Sequence, residues 1–286
     1  MTAEPRVSIL IPSLDGLRGG SLARLVTALC RQSLAPLEIR VIVGVCPQGA
    51  AINQAARRAR GEILVIMDDD SSIADPRLIE RLVDTLDSDA AIGMAGASLR
   101  TPGAASWFQR RAAREFPRFN VPEVERTTDS DLACHGCAAI PARVFAEVRG
   151  EHEELVRGLD PDLRQRLRRA GYRVVLAPRA VVYHPLPAGF LRLLAVFFRN
   201  GRGSAYAQVH HPELIYDTDE RLERRGEMPQ PALGARALRF PLRIAWAVAS
   251  ARPLRAAAYL AYGLGYVTAW PRYYWQRRAR RPATAS

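Results

Sequence analysis

Three short, mostly apolar runs, at residues 7–11, 39–43 and 63–67, the first two interrupted only by Ser8 and Arg40, mark the start of the chain, and stretches with helical spacing separate them. Runs of this length, the first closed by Pro12 and the second by Gly44, read as strands buried on both faces. Between the first two, Leu22, Leu25, Val26 and Leu29 recur at the helical interval behind Ser21, a residue able to cap them. A second helix is expected over residues 51–60, with Gly61 beyond its end. Strand, helix, strand, helix, strand admits few solutions, because parallel crossovers are right-handed. The expected fold is α/β, a mostly parallel wound sheet flanked by helices.

The third run ends on Asp68, Asp69 and Asp70. Adjacent carboxylates repel, so a buried strand that delivers three of them to its C-terminal edge calls for a counter-ion there. Open α/β sheets bind ligands beyond that edge, and hard Mg2+ or Mn2+ favours carboxylates together with substrate phosphates, which points to a nucleoside diphosphate. The alternative is a solvated acidic turn. Past the triplet, Asp75 and Pro76 predict a helix start, with Leu78, Ile79, Leu82, Val83 and Leu86 as its apolar face. A strand is expected at 92–95 and an irregular insertion over 101–128, where Pro102, Pro117 and Pro122 interrupt arginines and aromatics. Strands at 137–140, 173–176 and 180–183, and helices at 144–148 and 160–170, complete the pattern.

Lys and Arg outnumber Asp and Glu by 41 to 29, a net charge of +12 that favours anionic partners. Cys30, Cys46, Cys134 and Cys137 form no disulfide framework, which suits a reducing, cytoplasmic setting. The Cys134-His135-Gly136-Cys137 stretch looks like half a zinc site, but no second pair stands at ligand spacing. No signal peptide is apparent at the start, so export is not expected.

The motifs, in their order, resemble those of the family 2 glycosyltransferases, which have the GT-A fold. The matching pieces are Val7-Ser8-Ile9-Leu10-Ile11-Pro12-Ser13, then Asn53 ahead of Ala59-Arg60-Gly61-Glu62, the aspartate triplet, Gly158-Leu159-Asp160-Pro161-Asp162-Leu163, and Ala170-Gly171-Tyr172-Arg173 leading to Val182-Tyr183-His184. The resemblance implies a nucleotide-binding, Rossmann-like sheet and an inverting transfer of one sugar from a nucleotide-sugar donor to an acceptor hydroxyl. It implies that Asp68 and Asp70 hold Mn2+ or Mg2+ against the diphosphate, with His184 a third metal ligand, and that Asp68, Asp69 and Asp70 contact the nucleotide-sugar donor, Asp69 ranking below the other two because strand alternation would turn it away. By the same resemblance Pro12, Ser13 and Asp15 lie near the nucleobase and Asn53 near the donor. Asp160 is the general base. His135, Gly136 and Asp162 line the acceptor side, with Asp129 and Asp131 just upstream. Leu159 replaces the usual glutamate before the base, while Gly44 and Ile52 stand where an aspartate and an arginine are frequent. No Gln-any-any-Arg-Trp motif follows His184, so a single transfer is expected rather than a processive one.

Residues 1–210 are assigned to the transferase domain, 211–235 to a linker and 236–286 to a hydrophobic and basic helical extension. Two apolar stretches there, 244–251 and 256–270, are each shorter than the roughly 20 residues that span hydrocarbon. Tyr259, Tyr262, Tyr266, Trp270, Tyr273, Tyr274 and Trp275, with Arg277, Arg278, Arg280 and Arg281 behind them, suit an anionic membrane surface, here the inner face of the cell membrane. The alternative is a helical subdomain packed on the core. The expected activity belongs to cell-envelope or lipid-linked glycan synthesis, on a glycan or lipid-linked acceptor. A non-catalytic sugar-nucleotide-binding or scaffolding protein at the membrane is the rival. Nucleic acid is not an expected partner, because no such motif accompanies the charge.

Overall fold

The computed structural model describes residues 4–218 and 221–280. Strand β1 (Val7–Ser13) pairs in parallel with β2 (Leu37–Val43) on one side and with β3 (Ile63–Ile66) on the other, as the apolar runs require. Four more strands extend the sheet: β4 (Ile92–Arg100), β5 (Thr128–Asp129), β6 (Ala138–Pro141) and β7 (Arg173–Tyr183). The order is β2-β1-β3-β6-β4-β7-β5, with β6 antiparallel to both its neighbours and β4 parallel to β7. Ile9, Val65, Ile66, Met94, Ala139 and Leu176 are fully enclosed along its centre.

Helices cover both faces, and their ends differ from the sequence expectation where local chemistry intervenes. Ser21 is the first residue of α1 (Ser21–Leu29) rather than its cap, which is Gly20 at φ 81°. Helix α2 (Gln48–Ala56) starts earlier and stops sooner than expected. Helix α3 (Leu78–Asp87) begins after Asp75, whose carboxylate accepts the Arg77 N–H at 2.8 Å in the preceding turn. The expected irregular insertion contains α4 (Trp107–Glu115), closed by a reciprocal capping box between Ser106 and Gln109. Helix α5 (Ala142–Glu147) precedes α6 (Leu159–Arg169), which starts at Gly158 in the left-handed region, φ 98°.

The two short strands expected at 173–176 and 180–183 are one strand with a bulge. Gly96 pairs with Leu176, but Ser98 pairs with Val181. Helix α7 (Phe190–His210) was not expected at all. With α8 (Leu233–Ala249) and α9 (Pro253–Arg280) it forms a helical unit against the sheet domain. A Cβ at Gly201 would sit 1.9 Å from the Tyr262 carbonyl oxygen, and one at Gly265 2.1 Å from that of Phe198, so α7 and α9 touch backbone to backbone. The start of α9 is anchored on α4, where the buried Glu115 carboxylate accepts the Arg255 N–H at 2.9 Å.

Within the expected linker, the segment around 224–228 folds back over α6. The Met228 N–H donates to Gln165 at 2.7 Å, and Met228 is buried. Arg281, expected as part of the basic end, lies outside the described residues. Among the described residues no helix is long and apolar enough to cross a membrane.

Replacing Gly201 or Gly265 with valine is expected to destabilise the protein by about 1–3 kcal/mol through overpacking at the α7–α9 contact. Gly234→Ala, where no atom lies within 4 Å, should leave the urea midpoint unchanged or slightly raised.

Candidate active site

The triplet lies at the C-terminal end of β3, and its carboxylates share two cationic partners, Arg18 between Asp69 and Asp70 and His184 between Asp68 and Asp70. Asp69 accepts the Ser13 hydroxyl at 2.6 Å and also lies 3.4 Å from Arg18 Nε, so it shares the guanidinium that holds Asp70. Asp70 is gripped by the Arg18 guanidinium, at 2.7 and 3.2 Å, and lies 3.0 Å from His184 Nε2. Asp68 accepts from the Gln48 amide at 2.9 Å and lies 3.7 Å from the same imidazole nitrogen. His184 arrives there because Ser72 and Tyr183 exchange backbone hydrogen bonds, at 2.8 and 2.9 Å, stitching the end of β7 to the turn after the triplet.

The electrostatics follow from these contacts. Burial pushes the Asp70 carboxyl up, but the His184 hydrogen bond and the Arg18 pair outweigh it and hold it well below the usual range. Asp68 moves the other way, because burial exceeds the pull of the nearby imidazoles. Burial opposes the charged form of His184, yet Asp70 and Asp68 raise its pKa.

A second centre surrounds Asp160 at the start of α6. Its Oδ1 accepts the His135 backbone N–H at 2.7 Å and lies 3.5 Å from the His135 ring. The other face of that ring meets Glu151 at 2.9 Å, in a buried contact. Burial disfavours the His135 imidazolium, but Asp160 and Glu151 override it and lift the pKa to about 10. In return, although burial pushes Asp160 up, His135 and Arg164 pull it below its ordinary value. The two centres are tied together by the Ser71 hydroxyl, which donates to the Gly136 carbonyl at 2.9 Å.

Other residues singled out in the sequence have local duties. Asp15 Oδ1 accepts the N–H groups of Leu17 and Arg18, at 2.9 and 2.8 Å, and holds Arg18 at φ 46° so that its guanidinium reaches Asp70. Pro12 does not close β1 as its sequence position suggested but lies inside it opposite Ile42, one residue before the strand ends at Ser13. The Asn53 amide is occupied by both backbone groups of Glu151, at 2.8 Å each, and by Glu153 at 3.0 Å, so it fixes the loop that carries Glu151. Asp162 is fully enclosed and paired with Arg166 at 2.8 Å. Arg18, Gln48 and Glu151 were not picked out from the sequence. The Gly16-Leu17-Arg18-Gly19-Gly20 turn at a strand end was the available signal for the first.

Asp68, Asp70 and His184 offer oxygen and imidazole donors that suit Mg2+ or Mn2+, with Arg18 as the present counter-charge. As they stand, however, no group of three or more His, Cys, Asp or Glu side chains among the described residues is placed to hold a metal ion. Burial pushes the Cys134 thiol up to about 12, so Cys134 stays protonated.

A family model described as glycosyltransferase-like family 2 matches residues 23–203, more than half of the chain. The chain belongs to that family. No curated protein sequence matched it. Among solved structures, the mannosyltransferase PcManGT from Pyrobaculum calidifontis, in complex with GDP-Man and Mn2+, is 14% identical over 93% of this chain and 88% of that one, with a TM-score of 0.52. Residues 1–349 of S. aureus TarS are 12% identical over 96% and 92%, with a TM-score of 0.47. The protein is a glycosyltransferase with the GT-A fold.

Because the folded pKa of His135 lies above its ordinary 6.5, the stability it contributes is complete below that pH and is lost as pH rises through about 10. Urea unfolding of this glycosyltransferase between pH 6 and about 10 should therefore show falling stability, and His135→Asn should flatten that slope.

Proposed function

We propose that this glycosyltransferase moves one sugar from a nucleoside diphosphate donor to an acceptor hydroxyl with inversion of the anomeric centre. The observation that carries the reading is the pairing of two carboxylate centres. Asp68, Asp70 and His184 stand at the strand ends where a diphosphate binds in open sheets, and Asp160 stands at the head of α6, joined to them through Ser71, Gly136 and His135. The neighbour's GDP-Man and Mn2+ support a nucleotide-sugar donor and a divalent ion here too. Asp68, Asp70 and His184 would hold the ion, Mn2+ or Mg2+, which when bound neutralises the charge gathering on the diphosphate as it leaves.

Asp160 accepts the proton of the acceptor hydroxyl as that oxygen forms its bond to the anomeric carbon and the bond to the diphosphate breaks. Its depressed pKa keeps it ionised and ready, and the His135 backbone N–H aims one oxygen. Pro12, Ser13 and Asp15 form the floor and turn beside the donor. His135 and Gly136 line the acceptor side. Asn53 and Asp162 act by holding the loops and helix that present the others.

We place the reaction in cell-envelope or lipid-linked glycan synthesis at the inner face of the membrane. Helices α7, α8 and α9 contain arginines but not one Asp or Glu, and Leu238, Leu242, Trp246, Leu260, Leu264, Val267 and Trp275 are exposed along α8 and α9. Asp217 pairs with Arg239 and Arg243 of α8, and the remaining arginines beside these apolar and aromatic side chains complement an anionic lipid surface.

In a panel of UDP-, GDP- and dTDP-sugars with Mn2+ or Mg2+, one donor is expected to release its nucleoside diphosphate. Asp70→Asn and Asp160→Asn should each lower that release by about 10²–10⁴-fold. Donor binding without turnover across a broad acceptor set would instead identify a non-catalytic protein. Cosedimentation with vesicles containing phosphatidylglycerol should exceed that with neutral vesicles and fall in the Leu242→Ser/Trp246→Ser variant. Equal recovery with both vesicles would remove the membrane from the proposal.

A further inference from the structure

Both carboxylate oxygens of Asp70 are already in use. Its Oδ2 accepts the Arg18 guanidinium at 2.7 and 3.2 Å, and its Oδ1 lies 3.0 Å from His184 Nε2. The same guanidinium lies 3.4 Å from Asp69 Oδ1. Asp68 is less crowded, with Oδ1 on Gln48 and Oδ2 3.7 Å from His184. A divalent ion shared by Asp68 and Asp70 therefore takes over an oxygen that Arg18 or His184 holds, and a guanidinium left against that ion would add like-charge repulsion.

Of the two cations, Arg18 is the one built to leave. His184 is carried by the end of β7, fixed there by the paired backbone hydrogen bonds of Tyr183 and Ser72 and by its own N–H, which donates to the Arg100 carbonyl at 3.0 Å. Arg18 stands instead on a single turn, Arg18–Gly20, outside the sheet. Its side chain is 53% exposed, against 12% for Asp70. Gly19, at φ 58°, follows it, and no atom lies within 4 Å of where a Cβ on Gly19 would be, so nothing packs against the turn there. Ion pairs this exposed contribute little to stability, and a divalent ion replaces one at small cost.

The backbone under Arg18 is nonetheless anchored, because Asp15 holds its N–H and that of Leu17. A guanidinium that lets go of Asp70 thus stays within one side-chain length of the strand ends, where open sheets bind a diphosphate. Its planar fork of N–H groups matches phosphate oxygens as well as it matches a carboxylate.

We propose that Arg18 is an exchangeable counter-ion: it yields Asp70 to the divalent ion, and its guanidinium then grips the diphosphate of the donor. The inference rests on the transferase reading above and adds a donor-binding residue to it, with ion entry and donor capture coupled through one side chain. Carboxylate and diphosphate are alternative anions for the same fork, so the guanidinium is paired before and after the exchange.

Two binding measurements decide it. Free Mn2+ followed by electron paramagnetic resonance, without nucleotide, should show Arg18→Gln binding the ion about three- to tenfold more tightly than wild type, because the competitor for Asp70 is gone. With Mn2+ saturating, the same variant should bind UDP, GDP or dTDP, whichever wild type prefers, about tenfold more weakly, because the grip on the diphosphate is gone. Arg18→Lys, a cation without the fork, should fall between the two proteins on both scales. Arg24→Gln removes the same charge from the next turn, where Arg24 donates to Ser21 at 3.0 Å, and should match wild type on both. Equal or weaker Mn2+ binding by a folded Arg18→Gln, no Mn2+ binding by either protein, no nucleotide binding by wild type, or nucleotide affinity unchanged in the variant overturns the proposal. Donor hydrolysis in the same preparations separates the two readings. Turnover of a donor with neither affinity shifted sinks the exchange alone, whereas both shifts without turnover of any donor sink the transfer reaction and leave the role of Arg18 standing.

Discussion

Repulsion among Asp68, Asp69 and Asp70 is the constraint around which the sheet domain is arranged. Three consecutive carboxylates at the end of a buried strand are tolerable only if donors and cations are brought to them, here partly shared, with Arg18 beside both Asp69 and Asp70. The end of β1 supplies Ser13 for Asp69, the turn after it supplies Arg18 for Asp70, α2 begins with Gln48 for Asp68, and the end of β7 brings His184 between the outer two. Four segments distant in sequence therefore converge on one strand end. Parallel β1, β2 and β3 make that convergence possible by placing their carboxyl ends at the same edge.

The sheet's first half was legible because its information is local. Apolar runs of four or five residues, bounded by Pro or Gly and separated by helical spacing, leave little choice of topology. The triplet and Asp160 were legible for a related reason, since their residue types and order are unusual. What escaped was information held between distant segments. Helix α7 shows little amphipathic pattern because its contact with α9 is made by Gly201 meeting a carbonyl, not by a stripe of large apolar residues. Helix α4 hid behind arginines, although Ser106 and Gln109 spelled out its capping box. Asn53 was expected beside the donor, and the structure has it gripping Glu151, a residue 98 positions away whose role only the fold reveals.

Charge is distributed as unevenly as shape. The acids lie in the sheet domain and in the 211–235 segment, many of them paired with an arginine or a histidine, while α7, α8 and α9 carry none. The meeting line of these two regions runs past the head of α6, where Leu159 packs with Ala207 of α7 and Asp160 stands beside it. The segment around 224–228 is not free chain: Arg224 and Glu227 are drawn back to Asp131 and Gln165 on the sheet domain.

The bulge in β7 has a geometric consequence of its own. Between the pairs Gly96–Leu176 and Ser98–Val181, β4 advances by 98 − 96 = 2 residues and β7 by 181 − 176 = 5, an excess of three. An odd excess inverts the alternation of side chains relative to an unbroken ladder. The bulge is thus a phase shifter, setting which parity of the remaining residues points toward the triplet edge, and His184 is the residue delivered there. Lengths within this strand are consequently quantised. Removing two residues from the bulge preserves the parity, whereas removing one turns the imidazole to the opposite side of the sheet.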